Sequence, residues 1–353
     1  MTPHINAIGT AVPAHDIHDA FIAWARARVS PREARLFDRM ATRAAIRHRW
    51  SVLPETPGGG SPVEADGFYH GERPGTARRM AVYAQAAPEL VLRAVSALAE
   101  RIPLDGITHL VVASCTGFVA PGIDQIVARR LALSSSVERL LVGFMGCYAA
   151  VAALRSARHI VRSDPGARVL VVTVELSTLH LQEVNDLEPL LAMLQFGDGA
   201  AAALVTADPH GFAIDRPFAT TLPDSDSLIR WDITDHGFAM HLSGEVPGRI
   251  AHALANTDFA HHATGGRPAE LIDGWAVHAG GRSILDAVQN AFRLPPHALD
   301  SSRAVLAENG NMSSATLMFV LARLLAGPAI KEGLALAFGP GLAAEGFGFR
   351  SPT

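Results

Sequence analysis

Cys147 is the first residue of this sequence whose surroundings favour chemistry. It lies in GFMGCYAA, residues 143–150, where a predicted apolar strand ends, glycines turn the chain and a helix is predicted to begin. Unpaired backbone N–H groups and the dipole at a helix N-terminus stabilise a thiolate, which lowers the pKa of a thiol and makes its sulfur nucleophilic. The competing interpretation is a small buried apolar residue, which is what most free cysteines are.

A histidine and an asparagine are predicted at two comparable positions. His278 ends the apolar strand of WAVHAGG, and Asn311 lies in NGNMSSA between a predicted strand and a predicted helix. Taken alone, the first is explained as a core histidine and the second as a helix cap. Together with Cys147 they place a nucleophile, an imidazole and an amide at three strand-to-helix junctions, where the sites of α/β folds gather. Cysteine proteases use a similar trio, but none of their cysteine signatures is present.

Apolar segments that alternate with helical patterns must position these residues. The predicted strands include HLVVAS, LLVGF, VLVVTVEL, AAALV, IDGWAVH, RAVLAE and GLALAFG, and the predicted helices include 146–161, GRSILDAVQNAF and SSATLMFVLARLLA. Nearly all-apolar strands separated by helices indicate a layered α/β fold whose sheet is covered on both faces. Residues 51–75 contain TPGGGSP and predict a long surface segment between helices.

The same alternation of strands and helices recurs after about residue 215. Two halves with a similar rhythm suggest an internally duplicated fold, although the halves do not align residue by residue. We therefore predict an N-terminal half, residues 1–215, which carries Cys147, and a C-terminal half, residues 216–353, which carries His278 and Asn311.

Composition excludes several classes of function. The chain has 353 residues, of which 49% are hydrophobic, so a sizeable core is expected. Charged residues are 18% and the formal net charge is −4, which offers no basic stripe for nucleic acid. No basic leader and no run of about eighteen apolar residues is present, so we expect a cytoplasmic protein without a membrane span. Two cysteines, with no HExxH or CxxC spacing, predict no metal site and no disulfide framework.

The motifs around the trio resemble those of the type III polyketide synthases, the chalcone and stilbene synthase family of thiolase-like condensing enzymes. The resemblance rests on GFMGCYAA, FGDGAAAALV (196–205), WAVHAGGRSILD, ENGNMSSATLMFVL and AFGPG (337–341). Fatty-acid initiating condensing enzymes share the trio, but the Ala-Gly-Gly that follows His278 favours the polyketide branch. The resemblance implies a thiolase-type duplicated αβαβα five-layered fold and a homodimer that needs no cofactor, since CoA thioesters are its substrates.

The resemblance also implies a reaction. Cys147 would accept an acyl group from a CoA starter, and His278 would help to hold the sulfur as a thiolate. Malonyl-CoA would then lose carbon dioxide, while His278 and Asn311 donate hydrogen bonds to the thioester oxygen. Repeated condensation and cyclisation would give a pyrone, resorcinol, phloroglucinol or naphthalene ring. The alternatives are a single-round enzyme like β-ketoacyl synthase III and a catalytically silent acyl-binding homologue.

Four further residues match cavity positions of the family. Phe196 resembles a gatekeeper between the CoA tunnel and the cavity, with plain core packing as the alternative. Met240 stands where the second gatekeeper is usually phenylalanine, and its flexible side chain would loosen the gate. Trp231 replaces a glycine of plant enzymes and would shorten the cavity. Cys115 matches a cavity position that is a cysteine in some bacterial members, which favours a bacterial-type enzyme, but burial as an inert thiol explains it equally well.

The remaining matches concern cyclisation, dimer contact and CoA binding. Ser313 and Gly341 would shape the part of the site where the product cyclises. Ala120 replaces the methionine that reaches into the partner's cavity in the family. Arg39 and Arg43 match basic residues that bind the CoA phosphates, although an ordinary solvated helix face also accounts for them.

Overall fold

The strands of the protein belong mostly to one large mixed sheet. The computed structural model describes residues 1–56, 58, 60–71 and 73–352. The strands are β1 (His4–Ala11), β2 (His15–Asp16), β3 (Trp50–Ser51), β4 (His109–Ser114), β5 (Glu138–Gly143), β6 (Val169–Leu176), β7 (Asp198–Thr206), β8 (Phe212–Thr221), β9 (Ile229–Thr234), β10 (Gly237–Leu242), β11 (Gly274–Val277), β12 (Gly333–Gly339) and β13 (Ala343–Arg350).

Helices connect and cover these strands. They are α1 (His18–Arg26), α2 (Pro31–Ala44), α3 (Thr76–Ala99), α4 (Ile123–Arg130), α5 (Ala149–Ser163), α6 (Leu187–Met193), α7 (Val246–Ala255), α8 (Thr257–Thr264), α9 (Arg282–Ala291), α10 (Asp300–Asn309) and α11 (Ser314–Leu325). Within the described ranges, none of them is both long and apolar enough to cross a membrane.

The sheet repeats one arrangement of strands. Its order is β11-β12-β13-β8-β1-β7-β6-β4-β5. In the first half, β4 pairs with β6 in parallel, β6 with β7 antiparallel, and β7 with β1 antiparallel. In the second half, β11, β12, β13 and β8 pair in the same sequence of directions. The predicted duplication is therefore present in the topology. The second half starts with β8 at Phe212, so residue 215 lies inside that strand.

Two central helices lie between the halves of the sheet. Along β6, Val169 and Val171 pack in one buried cluster with residues of α5 and α11. Leu170 and Val172, which point to the opposite face, pack in a second cluster with α3. A third cluster joins β11 and β12 to α7 and α9. The protein therefore has the five αβαβα layers that the resemblance implied. They are outer helices, one half of the sheet, the central helices, the other half of the sheet, and outer helices.

One predicted strand is a helix. RAVLAE lies in α10, with Val305 and Leu306 buried on its inner side. A short apolar run cannot be assigned by periodicity alone, and the alanines, leucine and glutamate of this segment are good helix formers. By chain order α10 occupies the position of β5 in the first half, so the repeat is incomplete there. Asn311 consequently lies between two helices and not after a strand.

Candidate active site

The duplicated topology brings the predicted trio to one place. Cys147 lies in a single turn of 3₁₀ helix, Gly146–Tyr148, directly before α5, and Asn311 lies just before α11. The two central helices therefore both begin at the site. His278 directly follows β11, the counterpart of β4 in the first half. The three residues are 7%, 2% and 1% exposed in the order Cys147, Asn311 and His278, so the site is enclosed.

The Asn311 side chain is held with its amide N–H toward the sulfur. Its Oδ1 accepts a hydrogen bond from the backbone N–H of Ser313 at 2.8 Å, which fixes the orientation of the amide. Its Nδ2 donates to the carbonyl of Gly280 at 3.2 Å and lies 4.0 Å from Cys147 Sγ. Because Gly280 is two residues beyond His278, this amide ties the histidine loop to the nucleophile.

The His278 imidazole is unpaired. Neither Nδ1 nor Nε2 has a hydrogen-bond partner in the part of the chain that the structure describes. A Cβ at Gly280 would lie 3.3 Å from Nε2, so the glycine lets its backbone approach the ring closely. Burial lowers the pKa of His278 to about 3. The ring is therefore neutral at pH 7 and offers one donor and one acceptor to a bound group.

An exposed position at a helix start would lower the pKa of the Cys147 thiol, but burial has the opposite effect on it. It raises the pKa of the Cys147 thiol to about 11, although Ser313 and Asn311 lower it in part. A thiolate would lose its hydration in this enclosed position, and that cost outweighs the benefit of the helix. Burial therefore disfavours the charged form of both groups, the Cys147 thiolate and the His278 imidazolium.

A cavity of about 730 Å³, including its open mouth, lies next to the trio. Phe196, Trp231 and Met240 line it. Cys147, His278 and Asn311 are not among its lining residues, and neither are Cys115, Ser313 and Gly341.

Phe196 stands between the cavity and the trio. Its side chain lines the cavity, while its main chain forms a parallel bridge with Asn311. The Asn311 N–H donates to the Gln195 carbonyl at 2.7 Å, and the Gly197 N–H donates to the Asn311 carbonyl at 3.1 Å. A shift of the Phe196 main chain would therefore displace the Asn311 main chain directly.

Two family models match almost the whole chain. The model for the N-terminal domain of chalcone and stilbene synthases matches residues 2–209, and that for the C-terminal domain matches residues 214–353. The chain belongs to the chalcone and stilbene synthase family. The protein is accordingly a polyketide synthase of the type III kind.

Solved structures of type III polyketide synthases share its fold. The C-terminal type III domain of Steely1 from Dictyostelium is 24% identical, with 100% of both chains covered and a TM-score of 0.89. PKS-I from the brown alga Ectocarpus siliculosus is 28% identical, covers 99% of this chain and 98% of its own, and has a TM-score of 0.86. A point mutant of CsyB is 21% identical, with 100% of both chains covered and a TM-score of 0.86.

A buried carboxylate of the synthase was missed by the motif analysis. Glu175, in β6, accepts hydrogen bonds from the Cys115 backbone N–H at 3.0 Å and from Thr116 Oγ1 at 2.8 Å. Ser314 Oγ is a further donor to it. Burial raises the pKa of Glu175 to about 6. The sequence did indicate a polar site here, because a glutamate inside the apolar strand VLVVTVEL is buried and needs hydrogen-bond partners.

Cys115 and Ser313 belong to the same buried network. Cys115 follows β4 and is thus the topological counterpart of His278. Its Sγ lies 3.3 Å from Glu175 Oε2 and 3.3 Å from Ser313 Oγ. Burial and the neighbouring Glu175 raise the pKa of the Cys115 thiol. Cys115 is therefore a buried, hydrogen-bonded thiol beside the site.

The backbone around the nucleophile is tightly packed. Ser313 has φ 47° and ψ −126°, a strained conformation for a residue with a side chain. The glycine loop after β12 lies against the Cys147 turn, since a Cβ at Gly339 would be 3.3 Å from the Cys147 nitrogen. Gly341 lies two residues further along, and its carbonyl accepts a hydrogen bond from Ser225 Oγ at 3.3 Å. Ser313 and Gly341 thus lie on the nucleophile's side of the site.

Aromatic rings form one wall of the cavity, and His180 is a member that the sequence did not predict. Trp231 lies 6.4 Å from Phe196 and 6.3 Å from Phe238, measured between ring centroids. His180 stacks on Phe238 at 4.2 Å. Its Nδ1 accepts from the Phe238 N–H at 3.0 Å, so its Nε2 is the nitrogen that donates to the Thr116 carbonyl. The His180 ring thus links the Phe238 and Thr116 main chains through both of its nitrogens, and neither nitrogen is free for catalysis.

The predicted surface segment at residues 51–75 closes another side of the cavity. Leu53, Ser61 and Tyr69 are buried and line it. The Tyr69 hydroxyl donates to the Thr178 carbonyl at 2.6 Å. The prediction is therefore wrong for these positions, because turn-rich composition does not reveal which side chains pack inward. Residues 57, 59 and 72 of this segment lie outside the described residues.

The arginines predicted to bind CoA lie on an exposed face of α2. Arg39 and Arg43 are one helical turn apart and exposed, and neither forms an ion pair with any residue that the structure describes. Arg282, four residues beyond His278, donates through Nη1 to the Arg43 carbonyl at 3.2 Å. The end of α2 is thereby fixed next to the loop that carries His278.

Proposed function

We propose that this synthase joins an acyl-CoA starter to several malonyl-CoA units by decarboxylative Claisen condensation and then cyclises the chain. The observation that carries the proposal is the arrangement of Cys147, His278 and Asn311. The Asn311 amide nitrogen is fixed 4.0 Å from the Cys147 sulfur and donates to the Gly280 carbonyl. Gly280 lies against the buried His278 ring, whose two nitrogens have no partner among the described residues. A nucleophile together with two donors for a developing oxyanion is what acyl transfer requires.

The first step loads the starter. As the Cys147 sulfur attacks the thioester carbonyl of the acyl-CoA, its proton passes to neutral His278. The bond between the carbonyl carbon and the CoA sulfur then breaks, and the CoA sulfur leaves with the proton from His278. Cys147 ends as an acyl thioester, and one molecule of CoA thiol is released. Burial opposes charge on both groups, which supports a transfer that begins from the neutral thiol and the neutral imidazole.

The second step extends the chain. The bond between the carboxylate and the methylene carbon of malonyl-CoA breaks, carbon dioxide leaves, and the electron pair moves into an enolate. Asn311 Nδ2 and the N–H of neutral His278 donate to the enolate oxygen. The enolate carbon then attacks the acyl thioester of Cys147, and the bond between the carbonyl carbon and the Cys147 sulfur breaks. The sulfur leaves as a thiolate and takes a proton from solvent. Transfer of the lengthened chain back to Cys147 allows another round, with no cofactor besides the CoA substrates.

Substrate access and chain length follow from the surrounding residues. Arg39 and Arg43, which pair with no carboxylate of the described residues, provide positive charge for the CoA phosphates beside the His278 loop. Phe196 and Met240 gate the way into the cavity, and Trp231 limits its depth. A narrow, largely apolar cavity restricts the number of extensions and folds the chain before it cyclises.

Product mass tests this proposal. The synthase is incubated with malonyl-CoA and a panel of acyl-CoA starters, and the products are analysed by mass spectrometry. We expect products that contain several added two-carbon units and have lost water or CoA through cyclisation. A single added unit would instead identify a single-round β-ketoacyl synthase. Absence of both carbon dioxide release and Cys147 acylation would identify a silent acyl-binding homologue.

We also propose that the synthase is a homodimer. Strand β5 is at the edge of the sheet, and Leu140 and Leu141 on it are 43% and 45% exposed. Phe118 and Phe144 beside it are 53% and 52% exposed. An exposed apolar edge strand is a surface for pairing with another chain. Both phenylalanines also contact Phe238, so pairing there would support the aromatic wall of the cavity.

Leu141→Glu is expected to convert the dimer into a monomer of 37.3 kDa. A carboxylate at this position would have to lose its hydration in the interface, which opposes pairing of the two edges. Size-exclusion chromatography with light scattering measures the mass directly. Ile233→Glu, at an exposed apolar residue of the β9–β10 hairpin, is the matched control and should remain dimeric. A dimeric Leu141→Glu variant would show that the interface lies elsewhere.

A further inference from the structure

Thr316 carries a buried hydroxyl beside Asn311 that the proposed steps do not use. It lies in the first turn of α11 and is fully buried. Its Oγ1 accepts a hydrogen bond from the Met312 N–H at 2.8 Å. Its own O–H has one acceptor within the part of the chain that the structure describes, Asn311 Oδ1 at 3.4 Å. The hydroxyl therefore connects the backbone at Met312 to the Asn311 side chain.

The orientation of the Asn311 amide decides what it offers to the site, because Nδ2 can only donate and Oδ1 can only accept. The Ser313 N–H donates to Oδ1 at 2.8 Å, and the Gly280 carbonyl accepts from Nδ2 at 3.2 Å. A reversed amide would place two donors together at Ser313 and two acceptors together at Gly280. These contacts therefore hold Nδ2 on the side of the Cys147 sulfur.

The Thr316 hydroxyl adds a second donor to Asn311 Oδ1, and this donor strengthens the amide N–H. An amide whose oxygen accepts a hydrogen bond is polarised, so its N–H becomes a better donor. An enolate that accepts from Nδ2 makes Oδ1 more negative in turn, and Oδ1 then becomes a stronger acceptor for the hydroxyl. The contact of 3.4 Å is long, but hydrogen bonds of catalytic groups commonly tighten when the reacting charge develops.

We propose that Thr316 is a positioning residue for malonyl-CoA decarboxylation, and that it acts by orienting and polarising the Asn311 amide. The inference rests on the proposed role of Asn311 as a donor to the enolate. Thr316 itself takes no part in bond making. Its side chain is suited to the role, because a β-branched residue has few rotamers in a helix and the Met312 N–H holds its oxygen in place.

Thr316→Val tests the inference, because valine keeps the shape of threonine and lacks the hydroxyl. Carbon dioxide release is measured over a range of malonyl-CoA concentrations, with the starter acyl-CoA that acylates Cys147 fastest. We expect kcat to fall by about threefold to tenfold with KM unchanged, since the lost hydrogen bond matters most when the enolate forms. Thr316→Ser keeps the hydroxyl and should restore kcat to within about twofold of the unsubstituted enzyme. An unchanged kcat in Thr316→Val, or an equally low kcat in Thr316→Ser, would overturn the inference.

Thr206→Val is the matched control, because Thr206, at the end of β7, makes the same two kinds of hydrogen bond. Its Oγ1 accepts from the Asp208 N–H at 3.0 Å and donates to Asn6 Oδ1 at 2.8 Å, and the residue is buried. Both valine variants thus deprive one backbone N–H and one asparagine oxygen of a hydroxyl partner, and both should lower the midpoint of thermal unfolding. Only Thr316→Val should slow decarboxylation. Equal slowing in the two variants would assign the effect to stability and contradict the inference.

A double variant shows whether Thr316 acts through Asn311. Asn311→Ala removes the amide, so Thr316→Val in this background should change the rate of carbon dioxide release by less than about twofold, whereas independent effects would multiply. A further loss of about threefold to tenfold in the Asn311→Ala background would refute the inference and leave the proposed function standing. If Asn311→Ala alone releases carbon dioxide at the unsubstituted rate, the proposed role of Asn311 is wrong and the inference fails with it.

Discussion

Replacing Cys147 by alanine is expected to abolish polyketide formation while leaving the fold intact. The sulfur forms the covalent bond to the growing chain, and loss of an enzymic nucleophile costs on the order of a millionfold in rate. The structural cost is small, because a thiol is a weak hydrogen-bonding group and Asn311 Nδ2 lies as far as 4.0 Å from Cys147 Sγ. Removal of one buried sulfur should lower the free energy of unfolding by about 1 kcal/mol.

Three measurements test this prediction together. Product formation is measured by mass spectrometry, acyl adducts by intact-protein mass, and the fold by thermal unfolding. Cys115→Ala is the matched control, because it removes the other of the two cysteines and leaves the proposed nucleophile in place. Its acyl adduct should persist. Retention of polyketide formation by Cys147→Ala, or loss of the adduct from Cys115→Ala alone, would show that the nucleophile has been misassigned.

The layered fold was predictable because its signals are local. Buried strands such as VLVVTVEL are apolar on both faces, and in the structure the alternate residues of β6 pack against different helices. The turn at Cys147 was equally visible, as glycines separate β5 from α5. The error at RAVLAE arose because a six-residue apolar segment fits either structure. Its identity as α10 depends on packing against distant residues.

Other features of the site depend on contacts far apart in sequence. Glu175 meets Cys115 and Ser314, which are separated from it by 60 and 139 positions, and no local pattern reveals such partners. The effect of burial on the pKa of Cys147 could not be read from the sequence for the same reason, since the helix start is local but the burial of the sulfur is a property of the whole fold.

The internal repeat explains why these distant residues meet. Cys147 and Asn311 precede α5 and α11, the two central helices, and Cys115 and His278 follow β4 and β11, two strands in equivalent places of the sheet. The site is thus assembled from equivalent points of two halves that differ in their side chains. A duplicated fold supplies the positions, and the chemistry depends on the residue that each half places there.

Asn311→Asp is expected to lower the rate of malonyl-CoA decarboxylation by about a hundredfold to a thousandfold at pH 8. Aspartate has the shape of asparagine and keeps the oxygen that accepts from the Ser313 N–H at 2.8 Å. It replaces the Nδ2 donor with an oxygen, which repels the enolate. Carbon dioxide release measures the effect, and thermal unfolding checks the fold. Asn309→Asp is the matched control, because Asn309 is also a buried amide but its Nδ2 donates to the Val305 carbonyl at 3.1 Å, away from the sulfur.

The pH dependence of Asn311→Asp distinguishes a lost donor from a damaged site. A carboxyl group in this enclosed position has its pKa raised, because the charged form loses hydration. Its protonated form regains an O–H that can donate to the enolate oxygen, as a neutral carboxylic acid does in other oxyanion sites. The deficit relative to the unsubstituted enzyme should therefore shrink as the pH falls toward 5 and deepen as it rises. A deficit that does not change with pH would indicate that Asn311 acts only by holding the Ser313 and Gly280 backbone, and the assignment of its N–H to the oxyanion would then be wrong.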